Sequence, residues 1–74
     1  MNYEQITKTQ ARKLHAEGEK VYCLPSKANP YSTWWWPTPE IPTDRDFDKF
    51  CNEYQYYNCN AETGRRLAFY KEVM

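Results

Sequence analysis

The sequence is poor in glycine, carries no net charge and has no long apolar run. Only two glycines occur among 74 residues, so the glycine-rich loops that cradle phosphates in nucleotide-binding proteins cannot be built. Ten basic residues balance ten acidic ones, which argues against a bulk polyanion binder and against an acidic mimic of DNA. Neither a membrane span nor a secretory leader is recognisable, so we expect a cytoplasmic protein with no membrane partner.

Aromatic residues are the chain's most unusual component. Trp, Tyr and Phe make up 18% of it, whereas leucine, isoleucine and valine are few. A chain of this length forms one domain at most, with a small core, and we expect a single domain over residues 1–74. That core must be aromatic, yet it is too small to cover every ring. Some aromatic side chains are therefore expected on the surface.

The first part of the chain predicts a helix followed by a strand. Thr7 and Gln10 have the spacing of a capping box, which predicts a helix over residues 8–17 that ends at Gly18. The β-branched and aromatic run over residues 20–25 predicts a strand that ends at a proline.

The next segment is rich in tryptophan and proline. Residues 33–37 predict an extended segment or an edge strand, because the prolines that follow cannot join a central strand. Alternation in such a segment places Trp34 and Trp36 on one side and Trp35 on the other. We expect the first two in the core and Trp35 at the surface.

The second half of the chain predicts another helix and a final strand. Thr43 is the predicted N-cap of a helix over about residues 44–57. Its apolar stripe has the width expected of a helix on a core, and it comprises Phe47, Phe50, Cys51, Tyr54 and Tyr57. Residues 65–73 predict a strand with Leu67 and Phe69 on one face. The predicted fold is α+β, a small antiparallel sheet of two or three strands with two helices packed on one face.

No group of residues has the pattern of a catalytic or metal site. The histidine and the cysteines total a zinc set but lack its closely spaced pairs; they are His15, Cys23, Cys51 and Cys59. The odd number of cysteines favours free thiols in a reducing compartment. Asp44, Asp46 and Asp48 lack the glycine and glutamate of a calcium loop and suit the acidic first turn of a helix. We therefore expect no enzyme activity, no cofactor and no metal.

Exposed aromatic and acidic residues are the predicted contact surface for a protein partner. Tyrosine and tryptophan supply interface hot spots because they combine a rigid apolar body with a polar group. Tyr56 is expected opposite Phe47 on the second helix. The predicted partner-binding residues are Trp35, Tyr31, Tyr56, Asp44, Asp46 and Asp48. The acidic members would form a rim that favours a partner with a basic surface.

Several stretches of the chain carry a resemblance to a group of known proteins. They are ITKTQARKL at 6–14, VYCLPSK at 21–27, FD at 47–48, YYNCN at 56–60 and GRRLAFY at 64–70. These stretches resemble small uncharacterised proteins of phages and conjugative elements of Firmicutes, although the tryptophan run departs from the pattern. The resemblance implies a setting in which very small non-enzymatic proteins disable host defence by binding a large effector, as anti-CRISPR proteins do.

The sequence therefore predicts a small protein-binding module of a phage or mobile element, which inhibits a host defence nuclease by steric occlusion. Two other classes stay open. One is a nucleic-acid-binding regulator that uses helix 8–17 with Arg65 and Arg66, although interleaved acidic residues argue against a concentrated basic surface. The other is a homo-oligomeric assembly subunit, for instance a homodimer through the tryptophan segment.

Overall fold

Three strands and two helices form the fold of this chain. A computed structural model describes residues 2–32 and 38–73. Their elements are, in order, β1 (Asn2–Ile6), α1 (Lys8–Ala16), β2 (Tyr22–Pro25), α2 (Phe47–Asn58) and β3 (Leu67–Val73). The strands form one antiparallel sheet, which confirms the predicted α+β fold. The sequence did not predict β1, and the predicted edge strand at residues 33–37 lies outside the described residues.

The last strand of the chain lies at the centre of the sheet, whose order is β1-β3-β2. On one side of β3, Phe69 pairs with Ile6. On the other side, Phe69 pairs with Cys23. Phe69 and Tyr70 are the residues of β3 that pair with both neighbours, and their backbone groups are bonded as an antiparallel ladder requires.

Helix α1 begins and ends as its sequence predicts. The Gln10 amide donates to the Thr7 hydroxyl oxygen at 3.1 Å, and the Thr7 amide donates to the Gln10 side-chain oxygen at 2.9 Å. These reciprocal bonds complete the capping box. Beyond the C-terminal end, Gly18 has a φ of 81°, a left-handed conformation that glycine adopts at little cost. Ala11 is the helix residue that lies fully in the core.

Helix α2 begins later than predicted, because its N-cap is Asp46 and not Thr43. The Asp46 carboxylate accepts the Lys49 amide at 2.9 Å. The preceding residues form a turn in which the Arg45 amide donates to the Pro42 carbonyl at 3.3 Å. Asp44 therefore lies in the turn before the helix. Of the three acidic residues predicted for the first turn, only Asp48 is there.

The predicted apolar stripe of α2 is right at four positions and wrong at the fifth. Phe47 and Cys51 are buried, and Phe50 and Tyr54 pack against the core while remaining partly exposed. Tyr57 is 79% exposed. At 100° per residue it lies about 80° around the helix from Phe47, at the margin of the stripe. Its ring therefore projects from the last turn into solvent.

Both faces of the sheet carry buried side chains. The helices pack on the face that presents Leu67 and Phe69, as predicted, and the core cluster on that face contains Ala11, Val21, Cys23, Ile41, Phe47, Cys51 and Phe69. The opposite face carries a second cluster of Tyr22, Leu24, Ala68 and Tyr70, against which Tyr3 and Ala28 pack. Tyrosine rings thus replace the aliphatic residues that this chain has in short supply.

The turn before β3 contains the closest backbone approach among the described residues that involves a glycine. Gly64 has a φ of 107°. A Cβ atom there would lie 2.8 Å from the backbone nitrogen of Lys27 and 2.9 Å from that of Ser26. Lys27 is held in place because its amide donates to the Thr63 carbonyl at 2.9 Å. The site can accept a larger residue only if β2 and the turn separate.

We expect Gly64→Ala to lower the free energy of unfolding by about 2–5 kcal/mol, from left-handed strain and from overpacking together. Urea denaturation followed by circular dichroism measures it. Gly18→Ala is the matched control: Gly18 also has positive φ, but a Cβ there meets nothing within 4 Å, so only the backbone cost of about 1–2 kcal/mol applies. Equal losses in the two variants would contradict the close approach at Gly64.

Candidate partner-binding surface

Two neighbouring tyrosines near the end of α2 stand almost free of the protein. Tyr56 is 81% exposed and Tyr57 is 79% exposed. Their rings contact each other edge to face, with centroids 5.0 Å apart and an interplanar angle of 85°. The exposure of Tyr56 agrees with its predicted position opposite Phe47, whereas that of Tyr57 was not predicted. Together they form a contiguous aromatic patch, the kind of surface feature that marks interaction sites.

An ion pair between the turn before α2 and the helix itself lies next to this patch. Arg45 donates to the Glu53 carboxylate at 3.2 Å, and its guanidinium carbon lies 5.7 Å from the centroid of the Phe50 ring. Glu53 is one helical turn before the two tyrosines and therefore shares their side of α2. We call the surface formed by Arg45, Glu53, Tyr56 and Tyr57 the tyrosine face.

Two of the three acidic residues predicted for the partner surface already have partners within the chain. Asp46 is the N-cap of α2. Asp48 accepts a 2.7 Å hydrogen bond from the guanidinium of Arg12. This bond lowers the pKa of the Asp48 carboxyl and raises the pKa of Arg12. Asp44 is exposed in the turn before α2. Of the three predicted rim residues, it is the one whose carboxylate has no hydrogen bond or ion pair with the described residues.

Tyr31 is bound to the outer edge of β1. Its hydroxyl accepts the Tyr3 amide at 2.6 Å and donates to the Tyr3 carbonyl at 3.3 Å. The two rings also pack, with centroids 5.6 Å apart. Although Tyr31 remains 52% exposed, its polar group is used inside the chain. Trp35, the other aromatic residue predicted for the partner surface, lies outside the described residues.

The cysteines and the histidine are occupied by structural contacts. Cys23 and Cys51 are buried in the core, where burial raises the pKa of both thiols, that of Cys51 to about 11. The Nε2 atom of His15 lies 2.8 Å from the Pro42 carbonyl oxygen. Across residues 2–32 and 38–73, no three His, Cys, Asp or Glu side chains are placed to hold a metal ion.

We expect the three thiols to react at different rates, because the thiolate is the reactive form and burial both hides it and raises its pKa. Cys59 is only partly buried. In a thiol titration at neutral pH, the native protein should therefore expose one thiol, and denaturant should expose all three. Cys59→Ser should abolish the native reaction. A native reaction that persists in this variant would contradict the burial of Cys23 and Cys51.

The hydroxyl group of Tyr54 lies in the core. The sequence predicted that Tyr54 faces inward but did not predict a buried polar group. This hydroxyl is buried and has no hydrogen-bond partner among the described residues, and burial raises its pKa. Tyr22 offers the opposite case, because its part-buried hydroxyl donates to the Glu72 carboxylate at 2.9 Å. A buried hydroxyl without a hydrogen-bond partner destabilises the folded state, whereas a hydroxyl bonded to a carboxylate stabilises it.

We expect Tyr54→Phe to leave the free energy of unfolding unchanged or to raise it by up to about 1 kcal/mol, since it removes an unsatisfied hydroxyl. Tyr22→Phe, which deletes the same atom, should instead lower it by about 1.5–3 kcal/mol. Urea denaturation of the two variants compares them directly. A loss at Tyr54 as large as that at Tyr22 would show that the Tyr54 hydroxyl has a partner in solution.

The fold brings two of the basic residues predicted for nucleic-acid binding together and leaves others apart. Arg12 is neutralised by Asp48, and Arg65 is exposed beyond α2. Lys8 and Arg66, which are distant in sequence, line the same cleft. Neither helix among the described residues is long and apolar enough to cross a bilayer.

Comparisons with known proteins add no relative. No protein-family model matches the chain, and searches of curated proteins and of solved structures return no match.

Proposed function

We propose that this chain is a small non-enzymatic protein-binding module and that the tyrosine face is its contact surface. The observation that carries the proposal is the exposure of Tyr56 and Tyr57, at 81% and 79%, side by side on one helix. Tyrosines are enriched in interface hot spots because a rigid ring covers a large area at low entropic cost and its hydroxyl can pair with the partner. Both rings project from α2 into solvent, where a partner can reach them.

The specific form of the proposal is an inhibitor of a host defence nuclease, carried by a phage or another mobile element and acting by steric occlusion in the cytoplasm. The resemblance of several stretches to small phage and conjugative-element proteins supports this setting. The free state of the three cysteines supports a reducing compartment. The exposed carboxylate of Asp44 suits a partner with a basic surface.

The non-enzymatic part of the proposal is supported by the state of the candidate nucleophiles. Burial raises the pKa of Cys23, Cys51 and Cys59, so their thiols stay protonated at neutral pH and are weak nucleophiles. The ring of His15 is held against a backbone carbonyl. Binding, with no chemical step, is the activity that these side chains favour.

The test compares the wild-type chain with a variant carrying Tyr56→Ser and Tyr57→Ser. Both tagged proteins are used to capture partners from a Firmicutes lysate, and the captured protein is then purified and its affinity measured. Loss of the two rings should weaken binding by at least about 2 kcal/mol, a factor of about thirty in Kd. The wild-type chain should also inhibit the partner's nuclease activity at a one-to-one ratio.

Glu19→Ser is the matched control, because Glu19 is exposed in the loop after α1 and belongs neither to α2 nor to the tyrosine face. It should bind like the wild type, and circular dichroism should show all variants folded. A folded double variant with unchanged affinity would contradict the tyrosine face. A partner that is no nuclease would contradict the specific form alone, and a stable dimer in light scattering would favour the homo-oligomeric alternative.

A further inference from the structure

Two clefts lie beside α1 and share Ile6 in their linings, and neither is lined by Tyr56 or Tyr57. The larger, of about 430 Å³, lies between the start of α1, the start of β3 and Gln55 of α2. The smaller, of about 240 Å³, lies between the side of α1 and the sheet. We call the two clefts together the α1 groove.

The charges along the α1 groove are almost all positive. Lys8 and Arg66 line the larger cleft, in which none of the described lining residues is acidic. Lys13 and Lys71 line the smaller cleft, where Glu17 is the only acidic member of the described lining. A chain whose formal net charge is zero thus gathers four basic residues against one acidic residue in this groove.

None of these four cations forms an ion pair with the described residues, although the charge of Lys8 contributes, after that of Arg12, to the lowered pKa of Asp48. Ion pairs within 4.0 Å among the described residues are limited to Arg12 with Asp48 and Arg45 with Glu53. Lys71 does have an acidic neighbour, since Glu4 is opposite it on the adjacent strand, but the two do not form an ion pair. Arg12, by contrast, is on α1 but outside the groove lining, and Asp48 neutralises it.

We propose that the α1 groove binds the phosphodiester backbone of a single-stranded nucleic acid. Cations spaced along the walls of a recess match a flexible chain of phosphates, which is how positively charged grooves track single strands. A rigid duplex presents its phosphates on a convex surface and cannot enter such a recess. Phe69, the aromatic residue in the lining, is only 4% exposed and cannot stack on bases. Recognition is therefore independent of sequence and depends on salt.

Fluorescence anisotropy with labelled oligothymidylate of about twelve nucleotides, a length within the ~4–16 that small domains cover, tests the proposal. Contact between three or four cations and phosphates gives a slope of log K against log salt of about −2 to −3, from about −0.7 per contact on single strands. Lys8→Gln and Arg66→Gln should each weaken binding and make the slope shallower by about 0.7. Duplex DNA of the same length should bind more weakly than the single strand.

Lys49→Gln is the matched control, because it removes an exposed cation that lies on α2 outside the groove lining and leaves no carboxylate unpaired. It should leave both affinity and slope unchanged, as should the double serine variant of the tyrosine face, so this proposal and the proposed protein-binding function fail separately. The α1 groove assignment is overturned if oligothymidylate does not bind at low salt, or if Lys8→Gln and Arg66→Gln keep the wild-type slope. Equal binding of a polyglutamate peptide would also overturn it, in favour of an acidic polypeptide.

Discussion

The insertion of β3 between β1 and β2 is the constraint on which the rest of this structure depends. Phe69 pairs with Ile6 at one end of the chain and with Cys23 in its first third, so the sheet cannot close until the last residues are in place. Such non-local pairing carries a loop-closure cost that local helix contacts do not. The same insertion brings the start of α1, just after β1, next to the residues just before β3. Lys8 and Arg66 share a cleft for that reason.

Helix α2 contributes residues to both the α1 groove and the tyrosine face, which remain separate surfaces. Gln55 lines the larger cleft of the α1 groove, and its side-chain nitrogen donates to the Arg65 carbonyl at 2.8 Å, which ties the helix to the segment before β3. Tyr56 follows directly, yet one residue turns the helix by about 100°. Two neighbouring residues of one helix therefore belong to different surfaces. A single small core can support both because each surface needs only one side of α2.

The sequence predicted what is decided locally and missed what is decided by distant partners. The capping box of α1 needs only Thr7 and Gln10, and it is present as predicted. β1 is a polar segment (NYEQI) that becomes a strand only through β3, so no local pattern marks it. At the start of α2, Thr43 and Asp46 are both good N-caps; the choice falls on Asp46 because Phe47, which is buried, then becomes the first helical residue. Of the predicted partner-binding residues, the exposure of Tyr56 followed from helical periodicity, whereas the bond between Tyr31 and Tyr3 required the folded chain.

The net charge of a chain does not predict where its charged side chains lie on the folded surface. Counted along the chain, basic and acidic residues alternate and cancel, which made nucleic-acid binding a secondary alternative. In the folded chain, Asp48 forms a half-exposed ion pair with Arg12 of α1, and Asp46 caps α2. Neither of these acidic residues lines the α1 groove, although the charge of Lys8 contributes, after that of Arg12, to the lowered pKa of the Asp48 carboxyl. Electrostatic recognition responds to the local potential within about a Debye length, roughly 8–10 Å at physiological salt, and not to the sum over the chain. A neutral protein with a positive groove and a separate aromatic face follows from where the ion pairs form.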